Sequence, residues 1–425
     1  MITKDNFINY FRSGIKETND CGIGIEHEKF VFLENKRADY QSILNLFEKL
    51  YEFGWEPVKE GINIIALKKG NKNITLEPGN QIELSGEKLK SIHQTCGESQ
   101  EYIFELNQSL KKLNLNLISS GFDPISKIEE VPSNPKNRYE LMTKIMPLFG
   151  KLSLDMMYRT CGTQVNIDYT SEKDFSKKFF VVNRLVPITI ALFANSGIVE
   201  KNKSGYLSYR SYAWQNTYRG GLPKIFLENM DFEKYADFSL NYPMLFLKRN
   251  DKYIDAKNKT FQNFIDGDIE KASPNEEDVA DHLSTIFTEN RLKKYIEIRS
   301  MDACGWDCLC AGPAFFIGLL YGNLDEVFDV VKRWNLDEII SAYKDSPKKG
   351  LKTILGKKSI LDWSKDLFEI SKQGLVNRNE LNSKKQNEVK FLDHIKTIID
   401  TNSTNAEAIM AQYQKDKNFF NINEK

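Results

Sequence analysis

The chain has 425 residues, 41% of them hydrophobic, and 59 Lys+Arg stand against 59 Asp+Glu. A neutral chain lacks the basic excess of a nucleic-acid binder, while the apolar fraction is enough for a large core. The longest apolar runs, Pro187–Ala194 and Ala311–Tyr321, fall short of the roughly 20 residues that cross a bilayer, and Met1–Thr18 has no apolar segment of signal-peptide type, so a cytoplasmic protein with no membrane role is expected.

In chain order, Lys4–Thr18 reads as an amphipathic helix and Gly22–Leu33 as a strand. Tyr40–Tyr51 reads as a helix with Ile43, Leu44, Phe47 and Leu50 on one face. Asn73–Ser85 reads as two short strands around the turn Pro78-Gly79-Asn80. A long helix over Glu87–Leu113 and a strand over Thr163–Tyr169 follow. Phe175–Ala194 is helical by pattern, with Pro187 placed to kink or divide it. Lys294–Met301 reads as a strand. From Ala311 onward the pattern is mostly helical, over Asp325–Trp334, Ser359–Gln373, Gln386–Asp400 and Asn405–Lys415, and Phe419–Lys425 is expected to fray. Strands first and helices in bulk afterwards predict an α+β protein with an antiparallel sheet. No repeat and no Pro/Gly/Ser-rich linker divides the chain. One catalytic domain over 1–425 is therefore expected, with a helical part over 311–425.

Six cysteines (Cys21, Cys96, Cys161, Cys304, Cys308, Cys310) are ordinary for a reducing compartment, where buried free thiols are the plain expectation. Cys304, Cys308 and Cys310 cluster without the paired C-x2-C spacing of structural zinc. With only His27, His93, His282 and His394 in the chain, a histidine-rich metal centre is also disfavoured.

Four strands share a chemical pattern. Side chains alternate across a sheet, so Glu26 and Glu28 share a face in Gly24-Ile25-Glu26-His27-Glu28. Gln81, Glu83 and Ser85 do so against Ile82 and Leu84, Gln164 and Asn166 against Val165 and Ile167, and Glu297 and Arg299 against Ile296 and Ile298. Any one of these strands reads plainly as a sheet with one wet face. Together the polar faces are carboxylates and amides with hardly a lysine. Carboxylates crowded in that way repel unless cations lie between them, and Mg²⁺ takes oxygen ligands together with substrate phosphates. The pattern predicts a carboxylate-lined bowl for Mg²⁺ and a nucleotide, with Glu77 beside the turn as a further member. Neither a P-loop nor a strand-linked G-x-G-x-x-G is present, so any ATP binds in another way. Ser204–Gly221 interleaves Tyr209, Tyr212, Trp214 and Tyr218 with Arg210 and Arg219. Arginine forks match carboxylates, so this segment is either a small-substrate pocket or a surface loop.

Taken together, these pieces resemble the plant and proteobacterial type of glutamate–cysteine ligase. The resemblance rests on eight segments in the family's order. They are Gly24–Phe30, Thr75–Gly86, His93–Cys96, Leu154–Cys161, Gln164–Asp168, Ala191–Ser196, Leu207–Ser211 and Arg291–Arg299. It implies a glutamine-synthetase-like fold whose curved antiparallel sheet forms the active-site bowl. It implies an ATP-dependent ligase that joins the γ-carboxyl of L-glutamate to L-cysteine through a γ-glutamyl phosphate, as the first step of glutathione biosynthesis, with Mg²⁺ as cofactor. By the same resemblance Glu26, Glu28, Glu77, Glu83 and Glu297 hold metal. Gln164 and Asn166 line the nucleotide site, Arg299 and Glu297 act in catalysis, and Arg159, Arg210 and Trp214 bind the amino acids. The expected partners are glutamate, cysteine and ATP alone, on a monomer or homodimer. The family's regulatory disulfides map to Cys96 and Cys310. A second plant pair is missing here, with Ala256 near its place. A ligase with a different amine acceptor and a non-catalytic nucleotide- or amino-acid-binding protein are the alternatives.

Overall fold

The computed structural model describes residues 2–250, 252–269, 272–416 and 419. Its centre is an open antiparallel sheet of ten strands, numbered here in chain order. They are β1 (Ile23–Leu33), β2 (Lys36–Arg37), β3 (Glu56–Glu60), β4 (Asn63–Lys69), β5 (Lys72–Leu76), β6 (Ile82–Ser85), β7 (Leu115–Ile118), β8 (Gly162–Ile167), β9 (Asn290–Leu292) and β10 (Ile296–Asp302). The spatial order is β9-β10-β8-β1-β6-β5-β4-β3, and β2 and β7 pair with the far half of β1. Strand β1 is thus the hinge of the sheet. Its first half runs between β6 and β8, and its second half between β2 and β7. The α+β architecture with an antiparallel sheet agrees with the sequence reading.

The apolar alternates of these strands account for the helices. Ile23, Ile25, Val165, Ile167, Ile296 and Ile298 are buried in one core with the helices Glu172–Arg184, Val186–Leu192, Ala311–Ile317 and Ile360–Arg378. Each such side chain contributes roughly 2 kcal/mol on burial. A second core lies under β4–β6, where the helices Tyr40–Leu50 and Ile92–Lys111 bring Leu46, Phe47, Tyr102 and Leu106 onto Leu67, Ile74 and Leu84. With helices on this side, the polar alternates are left to form the site.

Local rules explain where element boundaries differ from expectation. The helix expected over Glu87–Leu113 starts at Ile92, because Ser91 and Gln94 form a reciprocal capping box. Pro187 divides the expected Phe175–Ala194 helix in two, lying in the first turn of the second piece, where its missing N–H costs little. The first helix stops at Arg12. In Tyr40–Leu50 the buried face holds Leu46 in place of Leu44. Gln386–Asp400 becomes a 3-10 turn, Glu388–Leu392, followed by the helix Asp393–Thr401. Strands β3, β4 and β7 and the helix Leu336–Lys349 were not foreseen. Of the tail expected to fray, all but Phe419 lies outside the described residues.

The cysteines depart from the free-thiol expectation. Cys96 and Cys310 form a disulfide that ties Ile92–Lys111 to the entry of Ala311–Ile317, which matches the pairing implied by the resemblance. Cys304 and Cys308 form a second one, while Cys21 and Cys161 are free.

Candidate active site

The strand register assembles the polar row. Glu28 on β1 lies directly opposite Glu83 on β6, Glu26 lies between Ser85 and Gln164, and Asn166 lies between Gly24 and Glu297. The sheet slips register between Ile298 and Met301, at Arg299 and Ser300, and such irregularities re-aim side chains beside active sites. The amides brace the row. Asn166 donates to Glu26 at 2.8 Å and Gln164 to Glu28 at 3.4 Å, while Gln164 and Glu297 each accept from Arg299 Nη1 at 3.1 Å. Glu83 accepts from Ser85 at 2.9 Å and Thr75 at 3.2 Å. The backbone N–H of Gly162 donates to Glu28. A Cβ at Gly162 would lie 2.7 Å from Arg210 Nη2, so a larger residue here would push the guanidinium from its present place.

The electrostatics separate two kinds of carboxylate. Burial, then Glu77, pushes the Glu28 carboxyl up. Burial, then Glu26, Glu77 and Glu28, pushes Glu83 well above the usual range. Burial and Glu297 push Glu26 up. Glu297 is held well below that range because its burial is overcome by Arg291, Lys293 and Arg299, all three of which pair with it. Glu297 is therefore already neutralised by protein cations, whereas burial and mutual repulsion outweigh the pull of Lys293 and Arg299 on Glu26 and of Arg210 and Arg299 on Glu28, and disfavour the charged form of Glu26, Glu28 and Glu83.

Among the described residues, no group of three or more His, Cys, Asp or Glu side chains converges to hold a metal ion. The chemistry of the donor set nevertheless fits a hard cation. Its donors are all oxygen, its carboxylates repel one another in a buried row that a cation would relieve, and Asn166 Oδ1 is buried with no partner.

Above the row, the helix Tyr209–Gln215 brings in Arg210 and Trp214. Its N-cap Ser208 accepts from the Ser211 N–H at 3.1 Å and donates to Asp302 on β10 at 2.8 Å. Arg210 and Arg299 lie over the same Trp214 ring, at 4.8 and 5.2 Å from its centroid. Arg210 also donates to the Arg299 carbonyl at 2.8 Å. Four buried donors in this group have no partner: Arg210 Nε and Nη1, Arg299 Nε and Trp214 Nε1. Buried unpaired donors are costly, and a carboxylate or phosphate would satisfy them; Trp214 and Arg299 line the adjoining pocket, and Arg210 lies behind them.

A pocket here is lined by Glu28, Glu77, Arg138, Tyr139, Trp214 and Arg299 together with Met142, Met156, Met157, Phe246 and Phe287. Arg138 and Tyr139 were not foreseen; they come from the helix Asn137–Ile145, whose sequence has no strand alternation to mark it. Nearby Lys136 is lowered to about 8 by burial and by Arg138. Arg291 and Lys293, in the Arg291–Arg299 segment, pair with Glu297, a role that strand alternation does not reveal. Of the expected site residues Glu28, Glu77, Trp214 and Arg299 line this pocket, while Glu26, Glu83, Gln164, Asn166, Glu297 and Arg210 lie in the row and helix beside it, and Arg159 is taken up elsewhere. It pairs with Asp155, one turn earlier on its own helix, and with Glu200, and it stacks on Phe122.

With the sheet, the carboxylate row and the arginine pair in view, the chain compares as follows. The model of the glutamate-cysteine ligase family 2 (GCS2) matches residues 22–421. The chloroplastic glutamate–cysteine ligase of Solanum lycopersicum is 38% identical over 97% of this chain and 80% of its own length. That of Brassica juncea is 39% identical over 97% and 81%. A bifunctional glutathione synthetase structure from Pasteurella multocida aligns with a TM-score of 0.49 at 11% identity, over 97% of this chain and 50% of that one. The chain belongs to the glutamate-cysteine ligase family 2.

These relatives correct the cytoplasmic expectation, since those of Solanum lycopersicum, Oryza sativa and Arabidopsis thaliana are likewise described as chloroplastic. The absence of an apolar signal segment does not bear on plastid targeting, whose segments are amphipathic and rich in Ser and Arg. Among the described residues, no helix is long and apolar enough to cross a membrane.

Proposed function

We propose that the chain joins the γ-carboxylate of L-glutamate to the amine of L-cysteine, converting ATP to ADP and phosphate and forming γ-glutamylcysteine for glutathione synthesis. The observation that carries the reading is the pairing of the carboxylate row with the unpaired donors of Arg210, Trp214 and Arg299, in a chain of the glutamate–cysteine ligase family. A carboxylate does not react with an amine, because oxide would have to leave. Moving the γ-phosphoryl group of ATP onto the γ-carboxylate makes an acyl phosphate. Attack of the cysteine nitrogen on the acyl carbon then forms the amide and expels phosphate, and the amine loses its proton. Phosphoryl transfer asks the protein to position groups and neutralise charge.

In this reading Glu26, Glu28, Glu77 and Glu83 would hold Mg²⁺, with Gln164 and Asn166 bracing them. When bound, Mg²⁺ supplies positive charge for the phosphate oxygens. Glu297 orients Arg299 and Arg291 from within its ion-pair cluster. Arg299, set between Gln164 and Glu297, faces the transferring phosphoryl group. Arg210 and Trp214 receive a carboxylate of the amino acid. The chain acts as one catalytic domain over 1–425.

The test is ADP release by the purified protein with ATP, Mg²⁺, glutamate and cysteine, each omitted in turn. ADP that requires both amino acids, with γ-glutamylcysteine in the product, is expected. Glutamate-dependent ADP with another amine preferred would move the acceptor assignment. Folded protein that releases no ADP in any combination would refute catalysis.

A further inference from the structure

Behind the arginine pair lies a carboxylate that the mechanism has not used. Glu289, immediately before β9, is fully buried. Its Oε1 accepts from the Tyr343 hydroxyl at 2.8 Å, and its Oε2 has no hydrogen-bond partner. Its carbonyl accepts from the Arg299 N–H at 3.0 Å, which fixes it to the strand that carries Arg299. Burial pushes the Glu289 carboxyl up, and Arg210 and then Arg299 are the cations that oppose this. Tyr343, on the helix Leu336–Lys349, also accepts at its carbonyl from Gln215 Nε2 at 2.7 Å. Gln215 ends the helix that carries Arg210 and Trp214. One tyrosine of the C-terminal helical part therefore holds both Glu289 and the arginine-bearing helix.

Two guanidinium groups over a single indole ring repel each other, and strongly so where water is excluded. Other carboxylates face the pair: Glu297 binds Arg299 at 3.1 Å but is shared with Arg291 and Lys293, Asp302 faces Arg210 but is taken up by Ser196, Ser208 and the Asn195 N–H, and Glu28 lines the pocket and belongs to the proposed cation site. Glu289 is enclosed and cannot reach a substrate. We infer that Glu289, fixed by Tyr343, is a positioning residue: a buried counter-ion that keeps Arg210 and Arg299 together over Trp214, so that their unpaired N–H groups meet the substrate anion. This rests on reading Arg210, Trp214 and Arg299 as the seat of that anion.

The test compares the wild type with Glu289→Gln, which keeps the shape and removes the charge, and with Tyr343→Phe, which keeps the charge and removes the tether. Each is measured for kcat, for the KM of glutamate and of ATP, for glutamate binding by calorimetry without turnover, and for thermal stability. If Glu289 positions the pair, Glu289→Gln raises the glutamate KM about tenfold and lowers kcat. Tyr343→Phe shifts both the same way by about threefold, the worth of one hydrogen bond. The ATP KM holds, and the melting temperature falls by a few degrees at most, the worth of one buried hydrogen bond. If Glu289 were only a negative charge near an anion, its neutralisation would tighten glutamate binding, and that result overturns the inference. Unchanged glutamate parameters overturn it as well, as does equal damage to both KM values with a lowered melting temperature, which marks a structural prop. Should Glu289→Gln fail to fold, Tyr343→Phe decides alone. A wild type that neither binds nor ligates glutamate refutes the functional reading itself, and the inference with it.

Discussion

Arg299 and Arg210 carry different duties although they share one ring. Arg299 spreads Nη1 between Gln164 and Glu297, a placement suited to charge that develops as the phosphoryl group moves. Arg299→Lys keeps the charge but loses the planar fork. Steady-state kinetics should show kcat falling about 100-fold, the scale on which one transition-state donor acts. Arg210→Lys should act mainly on the glutamate KM, raising it about tenfold with a smaller effect on kcat. An effect of Arg210→Lys on kcat alone would reverse the two assignments. Much of this chemistry was legible in the sequence, because the alternation of Glu26 with Glu28, Gln164 with Asn166 and Glu297 with Arg299 is a property of single strands. What alternation leaves open is which carboxylates are paired with protein cations. Glu297 belongs to the same row as Glu26 yet is held well below the usual range by Arg291, Lys293 and Arg299.

At the scale of elements, the helix Ile360–Arg378 presses on the π-helical turn Gly318–Gly322 through glycine against glycine. A Cβ on Gly374 would lie 1.9 Å from the Gly318 carbonyl oxygen. Backbone cannot yield as a flexible side chain does, so Gly374→Ala should cost about 2 kcal/mol or more of stability. The expected signature is a lower melting temperature with an unaltered glutamate KM in the folded fraction; an unchanged melting temperature would contradict the packing argument. The turn Pro78-Gly79-Asn80 and the break at Pro187 were readable because they depend on local backbone rules. Arg138, Glu289 and Tyr343 were not. They reach the site from a helix, a strand edge and a helix of the C-terminal part, and only tertiary packing places them beside Arg210 and Arg299. Arg159 shows the converse. Its motif pointed to the site, while Asp155 one turn away and Glu200 take up its charge.

For the whole molecule, buried His282 sets part of the acid response. Its Nε2 donates to the Ser239 carbonyl at 2.8 Å, and burial, with Arg219 nearby, lowers its pKa to about 3. The unfolded chain takes up this proton near pH 6.5 and the folded chain does not. The stability contribution is therefore whole above pH 6.5 and is lost as pH falls towards 3. In His282→Gln, denaturant titrations should show the acid limb flattened between pH 6.5 and 4, by at most about 1.4 kcal/mol per pH unit; parallel limbs would contradict the assignment. His27, also lowered to about 3 by burial, keeps a limb of the same sign in the variant. With helices packed on one side of the sheet over two cores, the other side presents the polar face on which, in the proposed reaction, a carboxylate is phosphorylated and then captured by an amine. Glutamate labelled with oxygen-18 in its γ-carboxylate tests that directly. One labelled oxygen should appear in the released phosphate for each γ-glutamylcysteine formed, because the acyl phosphate leaves with a carboxylate oxygen. Unlabelled phosphate released alongside that product would contradict it.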